Sequence, residues 1–160
     1  MQQNPVTPEG YEALVAELNH AKSIERFAVV RDIEEARAHG DISENSEYED
    51  AKERQAMIEG KIRQLEHLVA SAQVIDIKKI PPSDRVVFGT TVVLENVESG
   101  EERTWRIVGE RETDVSNGKI SFKAPVAKAL IGRSEGDEVS IPTPGGQQTW
   151  EIIEVRYSSS

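Results

Sequence analysis

Apolar residues along the first half of the chain recur at alternating spacings of three and four positions, the period of a coiled coil. The downstream stretch has a single plainly polar member, Gln55, in the series Tyr48, Ala51, Gln55, Ile58, Ile62, Leu65, Val69 and Ala72. The upstream stretch keeps this rhythm at Tyr11, Leu14, Leu18 and Ala21, then shifts frame and resumes at Val29, Ile33 and Ala36. The pattern predicts two long helices packed along one seam, with a locally adjusted supercoil at the frame shift.

Folding the two helices back on each other about residue 42 places apolar positions opposite one another. The expected neighbours are Ala36 with Tyr48, Ile33 with Ala51, Leu18 with Leu65, and Leu14 with Val69. Thr7 and Pro8 suit a helix start, and Gly40 suits the left-handed residue just past a helix end. We therefore expect helices from about residue 8 to 39 and from about 44 to 72, each roughly 45 Å long.

Beyond Ala72 the period changes to the alternation that is typical of β-strands. The strand candidates are residues 74–77, 86–97, 103–108, 119–123, 139–141 and 149–157. Turns are expected around 98–101, at Asn117-Gly118 and at 144–146. A short helix should open at Ala124-Pro125 and end at Gly132, because proline suits a first turn and glycine a helix end.

The fold class expected from this order is α+β. A long N-terminal antiparallel α-helical coiled-coil hairpin, residues 1–76, precedes a compact antiparallel β-sheet domain with one short helix, residues 85–160. Residues 77–84, which include Pro81-Pro82, are expected to form an exposed linker.

Composition narrows the range of functions. The formal net charge of −10 argues against a protein that coats duplex nucleic acid, because that mode depends on neutralising phosphates with lysine and arginine. The chain contains no cysteine, so it has neither disulfides nor thiolate metal ligands. No segment resembles a signal peptide or a membrane span, and we expect a cytoplasmic protein without a membrane partner.

Two carboxylates, Asp41 and Glu44, lie at the predicted tip of the hairpin. Their spacing fits a capping box in which Asp41 caps the second helix, with Ser43 as a rival cap. It also fits a half-site for Mg²⁺, because two carboxylates supply only part of an octahedral oxygen shell and a partner would have to complete it. A bare tip lacks the walls that exclude water from a catalytic site. The two roles can coexist.

Several segments of the chain match one known family. They are Pro5-Val6-Thr7-Pro8-Glu9-Gly10, the tip segment from Ala36 to Tyr48 with its Gly40-Asp41-Ile42-Ser43-Glu44-Asn45 core, Ala72-Gln73-Val74-Ile75-Asp76, Leu130-Ile131-Gly132 and Thr143-Pro144-Gly145-Gly146. On these residues the chain resembles the Gre family of bacterial transcript-cleavage factors, and its GreA type more than its GreB type. The resemblance covers essentially the whole chain.

The resemblance implies a partner and a mechanism. Gre factors insert their coiled coil into the secondary channel of RNA polymerase, where tip acids help to hold a second Mg²⁺ that is shared with the polymerase. The matching residues are Asp41 and Glu44. The reaction is endonucleolytic cleavage of backtracked RNA by the polymerase, which rescues arrested elongation complexes. The protein is then not itself an enzyme but an activator of another enzyme's cleavage, and it meets the nascent RNA 3′ end only within that complex.

Further residues acquire expected roles from the same resemblance. Arg37, Lys52 and Arg54 would form a sparse basic spot for the extruded RNA, which suits release of short fragments; the alternative is that they balance nearby acids. Tyr48 and Asn45 are expected to support the tip, Tyr48 by packing on the seam. His39 is expected to be a solvated residue at a helix end.

The compact domain should be FKBP-like and should dock at the rim of the polymerase channel. The expected docking surface is the segment 121–126, with Ser121, Phe122, Pro125 and Val126; the alternative is that Pro125 only starts a helix. Trp105 and Trp150 are expected in the core.

Two rival functions remain at this point. One is a prolyl isomerase or chaperone, suggested only by the FKBP-like fold, and fold does not carry function. The other is a polymerase-channel inhibitor or adaptor that does not promote cleavage, against which the intact Asp41 and Glu44 pair argues. A monomer is expected.

Overall fold

The computed structural model describes residues 4–40 and 45–158, which fold as two compact units. The first, which we call the arm unit, is Tyr11–Ala72. The second, the sheet unit, combines residues 4–10 with 73–158. The division differs from the expected one, because residues 4–10 belong with the sheet unit rather than with the hairpin.

The arm unit is the predicted helical hairpin. Its first side consists of helix α1 (Pro8–His20), a π-helical segment (Ala21–Glu25) and helix α2 (Arg26–Ala38). Its second side is helix α3 (Ser46–Ser71). None of the helices in the described parts of the chain combines the length and apolar character that a membrane crossing requires.

The π-helical segment explains the frame shift in the seam. Ala21 and Val29 are eight positions apart instead of the seven of a regular heptad, and both are buried, at 0% and 1% exposure. A π-helical turn accommodates an extra residue, so the helix rotates back into frame before Val29. The predicted adjustment of the supercoil is therefore a change of helix type over five residues.

The seam carries the core of the arm unit. Its buried cluster consists of Leu14, Leu18, Ala21, Ile62 and Leu65, with the partly buried Ile58, Leu68 and Val69 packed against it. Nearer the tip, Ile33, Ala36 and Ala51 are also buried. Most residues expected to pair along the hairpin thus lie in its interior, whereas Tyr48, Val69 and Gln55 are half-buried.

Ion pairs join the two sides of the hairpin along its edges. Arg26 donates two hydrogen bonds to the Glu59 carboxylate at 2.7 and 2.8 Å, and Lys61 lies 3.2 Å from a Glu25 oxygen. The hydrogen bonds from Arg26 lower the pKa of the Glu59 carboxyl. Because these pairs are solvent-accessible, each contributes little to stability. Their main effect is to favour one alignment of the two sides of the hairpin.

The sheet unit contains a short helix and seven strands. One of these strands, at residues 72–74, begins at the last residue of the arm unit. The strands are β1 (Asn4–Val6), β2 (Ala72–Val74), β3 (Thr91–Asn96), β4 (Glu102–Val108), β5 (Lys119–Ser121), β6 (Glu138–Thr143) and β7 (Gly146–Arg156). Helix α4 (Pro125–Leu130) lies between β5 and β6 in sequence. Strand β1 pairs with β2, and the other five form one sheet in the order β5-β4-β3-β7-β6.

One side of the five-stranded sheet forms the core of this unit together with α4. The buried cluster consists of Val86, Val92, Leu94, Ile107, Ile120, Ala127, Leu130, Val139, Ile141, Trp150, Ile152 and Val155. The expectation for the tryptophans is confirmed, since Trp150 is 6% exposed and Trp105 packs against the cluster. The α+β fold class is confirmed as well.

Several expectations for the sheet unit are wrong in detail. The strand expected at 74–77 lies at Ala72–Val74, and its partner β1 was not expected. Strand β5 pairs with β4 in parallel, not antiparallel, because residues 109–118 carry the chain back along β4 through two 3₁₀ turns before Gly118 at φ +75°. The segment 77–84 also does not begin as an exposed linker. Ile77 is 2% exposed and starts a 3₁₀ turn, in which the Lys78 amide donates to the Asp76 carboxylate.

Candidate functional site

The tip of the hairpin is bounded by two well-formed helix ends. Helix α2 ends at Ala38, and Gly40 follows at φ +105°, the left-handed conformation expected there. Helix α3 begins at Ser46. Asp41 and Glu44, the expected metal-holding acids, lie outside the described residues together with Ile42 and Ser43.

Asn45 connects the two sides of the tip. Its side-chain oxygen accepts a hydrogen bond from the Tyr48 amide at 3.1 Å, and its side-chain nitrogen donates to the Ala36 carbonyl at 2.6 Å. Asn45 is therefore the N-cap of α3 and at the same time a clip onto the last turn of α2. The alternative in which Asp41 or Ser43 caps this helix is wrong.

The expected support of the tip by Asn45 thus has a defined geometry. The sequence contained the signal for the cap, since asparagine is among the best N-cap residues. It contained no signal for the bond to Ala36, nine positions away. Tyr48 is half-buried beside this clip.

The expected basic spot is only partly available. Arg54 lies 3.0 Å from Asp32, so it joins α3 to α2 as an ion pair. Lys52 is exposed and donates to the Gln55 side chain at 3.2 Å, and Arg37 is exposed on α2. For Arg54 the structure thus favours the charge-balancing alternative, although its partner is Asp32 rather than the acids of its own helix.

Acidic side chains surround the described part of the tip. Glu47 and Glu49 lie in the first turn of α3, where carboxylates interact favourably with the positive end of the helix dipole. The His39 imidazole lies 3.7 Å from a Glu47 oxygen, and both side chains are largely exposed, as expected for His39. No group of three or more metal-ligating side chains occurs within residues 4–40 and 45–158.

The donor set expected at the tip suits a hard divalent cation. Carboxylate oxygens are the ligands that Mg²⁺ prefers, and Asp41 and Glu44 would supply such oxygens next to the two flanks that Asn45 joins. Two carboxylates leave most of an octahedral shell to water and other donors. The residues therefore fit a shared Mg²⁺ site better than a private one.

The expected docking segment 121–126 joins β5 to α4. The Ser121 hydroxyl accepts a hydrogen bond from the Lys123 amide at 3.0 Å, and the Phe122 ring meets Phe88 edge to face at 6.0 Å. Phe122 and Val126 pack against the core, whereas Pro125 is exposed at the first turn of α4. Pro125 does start the helix, and its exposure leaves it accessible to a partner.

A helical hairpin with an acidic tip, followed by a sheet unit with one short helix, is the architecture that the structure defines. Two family profiles match these parts separately: "Transcription elongation factor, N-terminal" over residues 4–74 and "Transcription elongation factor, GreA/GreB, C-term" over residues 81–157. The chain belongs to the GreA/GreB family of transcription elongation factors.

Relatives with the name "Transcription elongation factor GreA" match nearly the whole chain. The protein of Anaeromyxobacter sp. (strain K) is 55% identical over 157 residues, which covers 98% of this chain and 94% of that one. That of Ruegeria pomeroyi is 48% identical and covers 99% and 100%. The solved GreA/GreB factor from Nitrosomonas europaea is 26% identical, covers 98% and 100%, and superposes with a TM-score of 0.44.

Proposed function

We propose that this protein binds bacterial RNA polymerase, inserts its helical hairpin into the secondary channel and stimulates the polymerase's own cleavage of backtracked RNA. Membership of a transcription elongation factor family supports this proposal, and so does the tip segment from Ala36 to Tyr48. The observation that carries it is the Asn45 clip. The clip joins the ends of α2 and α3, the two flanks of the segment that contains Asp41 and Glu44 in the sequence.

The part of this chain in the reaction is to supply oxygen ligands. Asp41 and Glu44 would hold a Mg²⁺ ion beside the metal that the polymerase already contains. In a two-metal site the ions generate the attacking hydroxide and stabilise the leaving oxygen, and that chemistry is what the bound ion would add. The two carboxylates would hold the ion in position. The walls of the site, which bind the RNA, and the remaining metal ligands would belong to the polymerase.

The charges near the tip bear on the size of the released RNA. With Arg54 held by Asp32, the basic surface for an extruded strand is reduced to Arg37 and Lys52, among several carboxylates. Such a surface gives little electrostatic attraction for a long single strand, since that attraction depends on the number of phosphate contacts. We therefore propose that the protein releases short RNA fragments.

Docking would use the segment 121–126 of the sheet unit. Pro125 is exposed there, while Phe122 and Val126 hold the segment on the core from beneath. Docking and cleavage are then carried by different residues, and variants can separate them.

The test is a cleavage assay on purified arrested elongation complexes. Asp41→Asn and Glu44→Gln should retain the fold and polymerase binding and lose about 100-fold or more in cleavage, since even outer-shell partners of metal ligands contribute about 10- to 100-fold. Glu49→Gln, an exposed acid on the first turn of α3, is the matched control and should cleave normally.

A change at Pro125 provides the reciprocal case. Pro125→Asp should raise the concentration of factor needed for half-maximal cleavage, and the rate at saturating factor should stay unchanged. Equal cleavage by the Asp41→Asn variant and the unaltered protein would refute the metal-holding role, and an unaltered protein that stimulates no cleavage would refute the proposed function as a whole.

A further inference from the structure

One turn that the sequence predicted has no part in the proposed function. Asn117-Gly118 lies at the end of the return loop between β4 and β5, after the 3₁₀ turn Val115–Asn117. Gly118 has φ +75° and ψ 20°, the left-handed conformation that glycine adopts without strain. Asn117 is exposed, and it is the only asparagine of the chain that glycine follows. The turn therefore joins a solvent-accessible side-chain amide to a backbone amide that no Cβ shields.

An asparagine in this position can lose its side-chain amide by an intramolecular reaction. The Gly118 backbone nitrogen attacks the side-chain carbonyl carbon of Asn117, so that an N–C bond forms and the bond to the side-chain nitrogen breaks. Ammonia leaves with the proton of the attacking amide. Water then opens the resulting succinimide ring at either carbonyl and leaves an aspartate or an isoaspartate at position 117. Glycine favours the first step because it has no Cβ beside its nitrogen.

Both reacting groups are engaged in hydrogen bonds in the folded turn. The Asn117 side-chain nitrogen donates to the Asp114 carboxylate at 2.7 Å, and the Gly118 amide donates to the Val115 carbonyl at 3.0 Å. Ring closure has to break the second bond, because the attacking nitrogen must leave its acceptor. The first bond opposes rotation of the side chain that is attacked. The closed turn should therefore react more slowly than the open chain.

Asp114 accepts most of the hydrogen bonds that close this turn. Its carboxylate also accepts one from the Ser116 hydroxyl at 2.9 Å, and its carbonyl accepts one from the Asn117 amide at 3.0 Å. The hydrogen bond from the Asn117 side chain, followed by that from Ser116, holds the pKa of the Asp114 carboxyl below its usual value. The acceptor is therefore ionised at neutral pH, and hydrogen bonds to an ionised acceptor are stronger than neutral ones.

The same carboxylate determines what the reaction would do to the turn. An aspartate at position 117 would place a second negative charge beside Asp114, in place of the donor that lies 2.7 Å from it. Like charges at this separation repel each other, and an isoaspartate would also add a carbon atom to the backbone. Two backbone hydrogen bonds of 2.9 Å between Asp114 and Lys119 close the loop next to this position. The modification should therefore loosen the loop where it enters β5.

We propose that Asn117 is a site of deamidation, and that Asp114 protects it by holding its side-chain amide in the closed turn. This inference does not rest on the proposed function, because every group involved lies in one loop of the sheet unit. A neutral side chain is converted to a charged one when the turn opens, and the hydrogen bonds to Asp114 and Val115 set the rate.

The test is the rate at which the full-length protein deamidates in mildly alkaline buffer. Mass spectrometry of the peptide that contains position 117 measures its aspartate and isoaspartate content. The unaltered protein should deamidate about tenfold or more slowly when folded than in urea, because hydrogen bonds of the closed turn have to break first. Asn96, which is 8% exposed and precedes a valine, is the internal control and should stay intact in the folded protein.

The principal variant is Asp114→Ala, at an exposed position outside the core. Folded Asp114→Ala should deamidate about tenfold faster than the unaltered protein, and hydrogen exchange at the Gly118 amide should accelerate by a similar factor. In urea the two proteins should deamidate equally, which separates protection by the fold from an effect on the chemistry. Ser116→Ala is the matched control. It removes the other side-chain hydrogen bond to the same carboxylate and should change the rate by less than about threefold.

A second pair of variants measures the effect of the product on the loop. Asn117→Asp creates the aspartate form, whereas Asn117→Ala removes the same hydrogen bond without adding a charge. Hydrogen exchange at the Lys119 amide should be faster in Asn117→Asp than in Asn117→Ala, and added salt should reduce the difference because it screens exposed charges. Equal exchange in the two variants would overturn the proposed repulsion.

The deamidation rates decide the rest of the proposal. Equal rates in the folded and the denatured protein would overturn the protection by the turn, and an unchanged rate in folded Asp114→Ala would overturn the role of Asp114. Equal acceleration by Ser116→Ala would show that the hydrogen bond from Asn117 is not the protecting one. An Asn117 that stays intact even in urea would overturn its assignment as a deamidation site.

Discussion

The arm unit and the sheet unit bury their apolar residues in different ways. The arm cluster contains five buried residues along one seam, and large apolar side chains such as Phe27 and Met57 remain 67% and 75% exposed. The sheet cluster contains twelve buried residues from five strands, α4 and the segment before β3. A two-helix hairpin has only one interface, whereas a sheet covered by a helix surrounds its core on several sides.

The two units therefore differ in the interactions that stabilise them. The arm is held by a narrow seam and by partly exposed ion pairs such as Arg26 with Glu59, so most of its surface can be polar. The sheet unit is held by a continuous core that several strands and α4 build together. Regions with few buried apolar contacts open at lower free energy than a large core, so the arm should open locally while the sheet unit stays folded.

The sheet unit also tolerates an unfavourable feature that its large core can offset. Four glutamates lie in one row across neighbouring strands: Glu102 faces Glu95, Glu95 faces Glu151, and Glu151 faces Glu138. Like charges directly opposite each other on a sheet are destabilising. The arm, by contrast, pairs opposite charges across its two sides.

The largest effect is expected from a cavity in the core of the sheet unit. Leu130 on α4 is 0% exposed, and Leu130→Ala should lower the free energy of unfolding by about 3 to 5 kcal/mol, because the lost burial and the cavity both contribute. Denaturant titration followed by circular dichroism measures the change. Ile131→Ala, next in sequence and 40% exposed, should change it by less than about 1 kcal/mol, and equal effects of the two would contradict the proposed core.

A cavity in the arm should have a smaller and more local effect. Ile62 is 1% exposed in the seam, and Ile62→Ala should cost about 2 kcal/mol, at the low end of such changes because a two-helix interface can partly close around the gap. Amide exchange should accelerate in α2 and α3 and stay unchanged in β3 and β7. Met57→Ala is the exposed control. Acceleration throughout the sheet would show that the two units unfold together and would break the comparison.

The smallest effect has the opposite sign. Glu95→Gln removes the charge between Glu102 and Glu151 and should raise the stability by about 0.5 kcal/mol at low ionic strength. Added salt should reduce the gain, because it screens exposed charges. Glu98→Gln, in the turn outside the row, should produce no such gain. A loss of stability in Glu95→Gln would mean that the row is neutralised by contacts other than those across the strands.

Much of the fold could be predicted from local pattern. The heptad spacing gave the seam, and alternation gave β6 and β7 together with the hairpin between them. Thr7 and Gly40 gave helix ends because capping depends on a few neighbouring residues. The short helix was predictable for the same reason, from Pro125 at its first turn.

The candidate site was predictable to a lesser extent. The tip acids were recognisable in the sequence, but the cap that accompanies them was assigned to Asp41 or Ser43 and belongs to Asn45. Arg54 was expected to face RNA or local acids, and its partner is Asp32 on the other helix. The ion pair of Arg54 crosses the hairpin, as does the hydrogen bond from Asn45 to Ala36, and a sequence pattern along one helix contains no information about either contact.

The sequence by itself determined the helical hairpin, most of the strands and the tryptophan-containing core, because each depends on periodicity or on neighbours a few positions apart. Only the tertiary structure decided the parallel pairing of β5 with β4, the π-helical correction of the seam and the contact of Glu112 with Thr7. These features depend on which distant segments meet once the chain has folded. Hydrogen-bond donors and acceptors 105 positions apart leave no periodic trace in the sequence, and their pairing is fixed by packing.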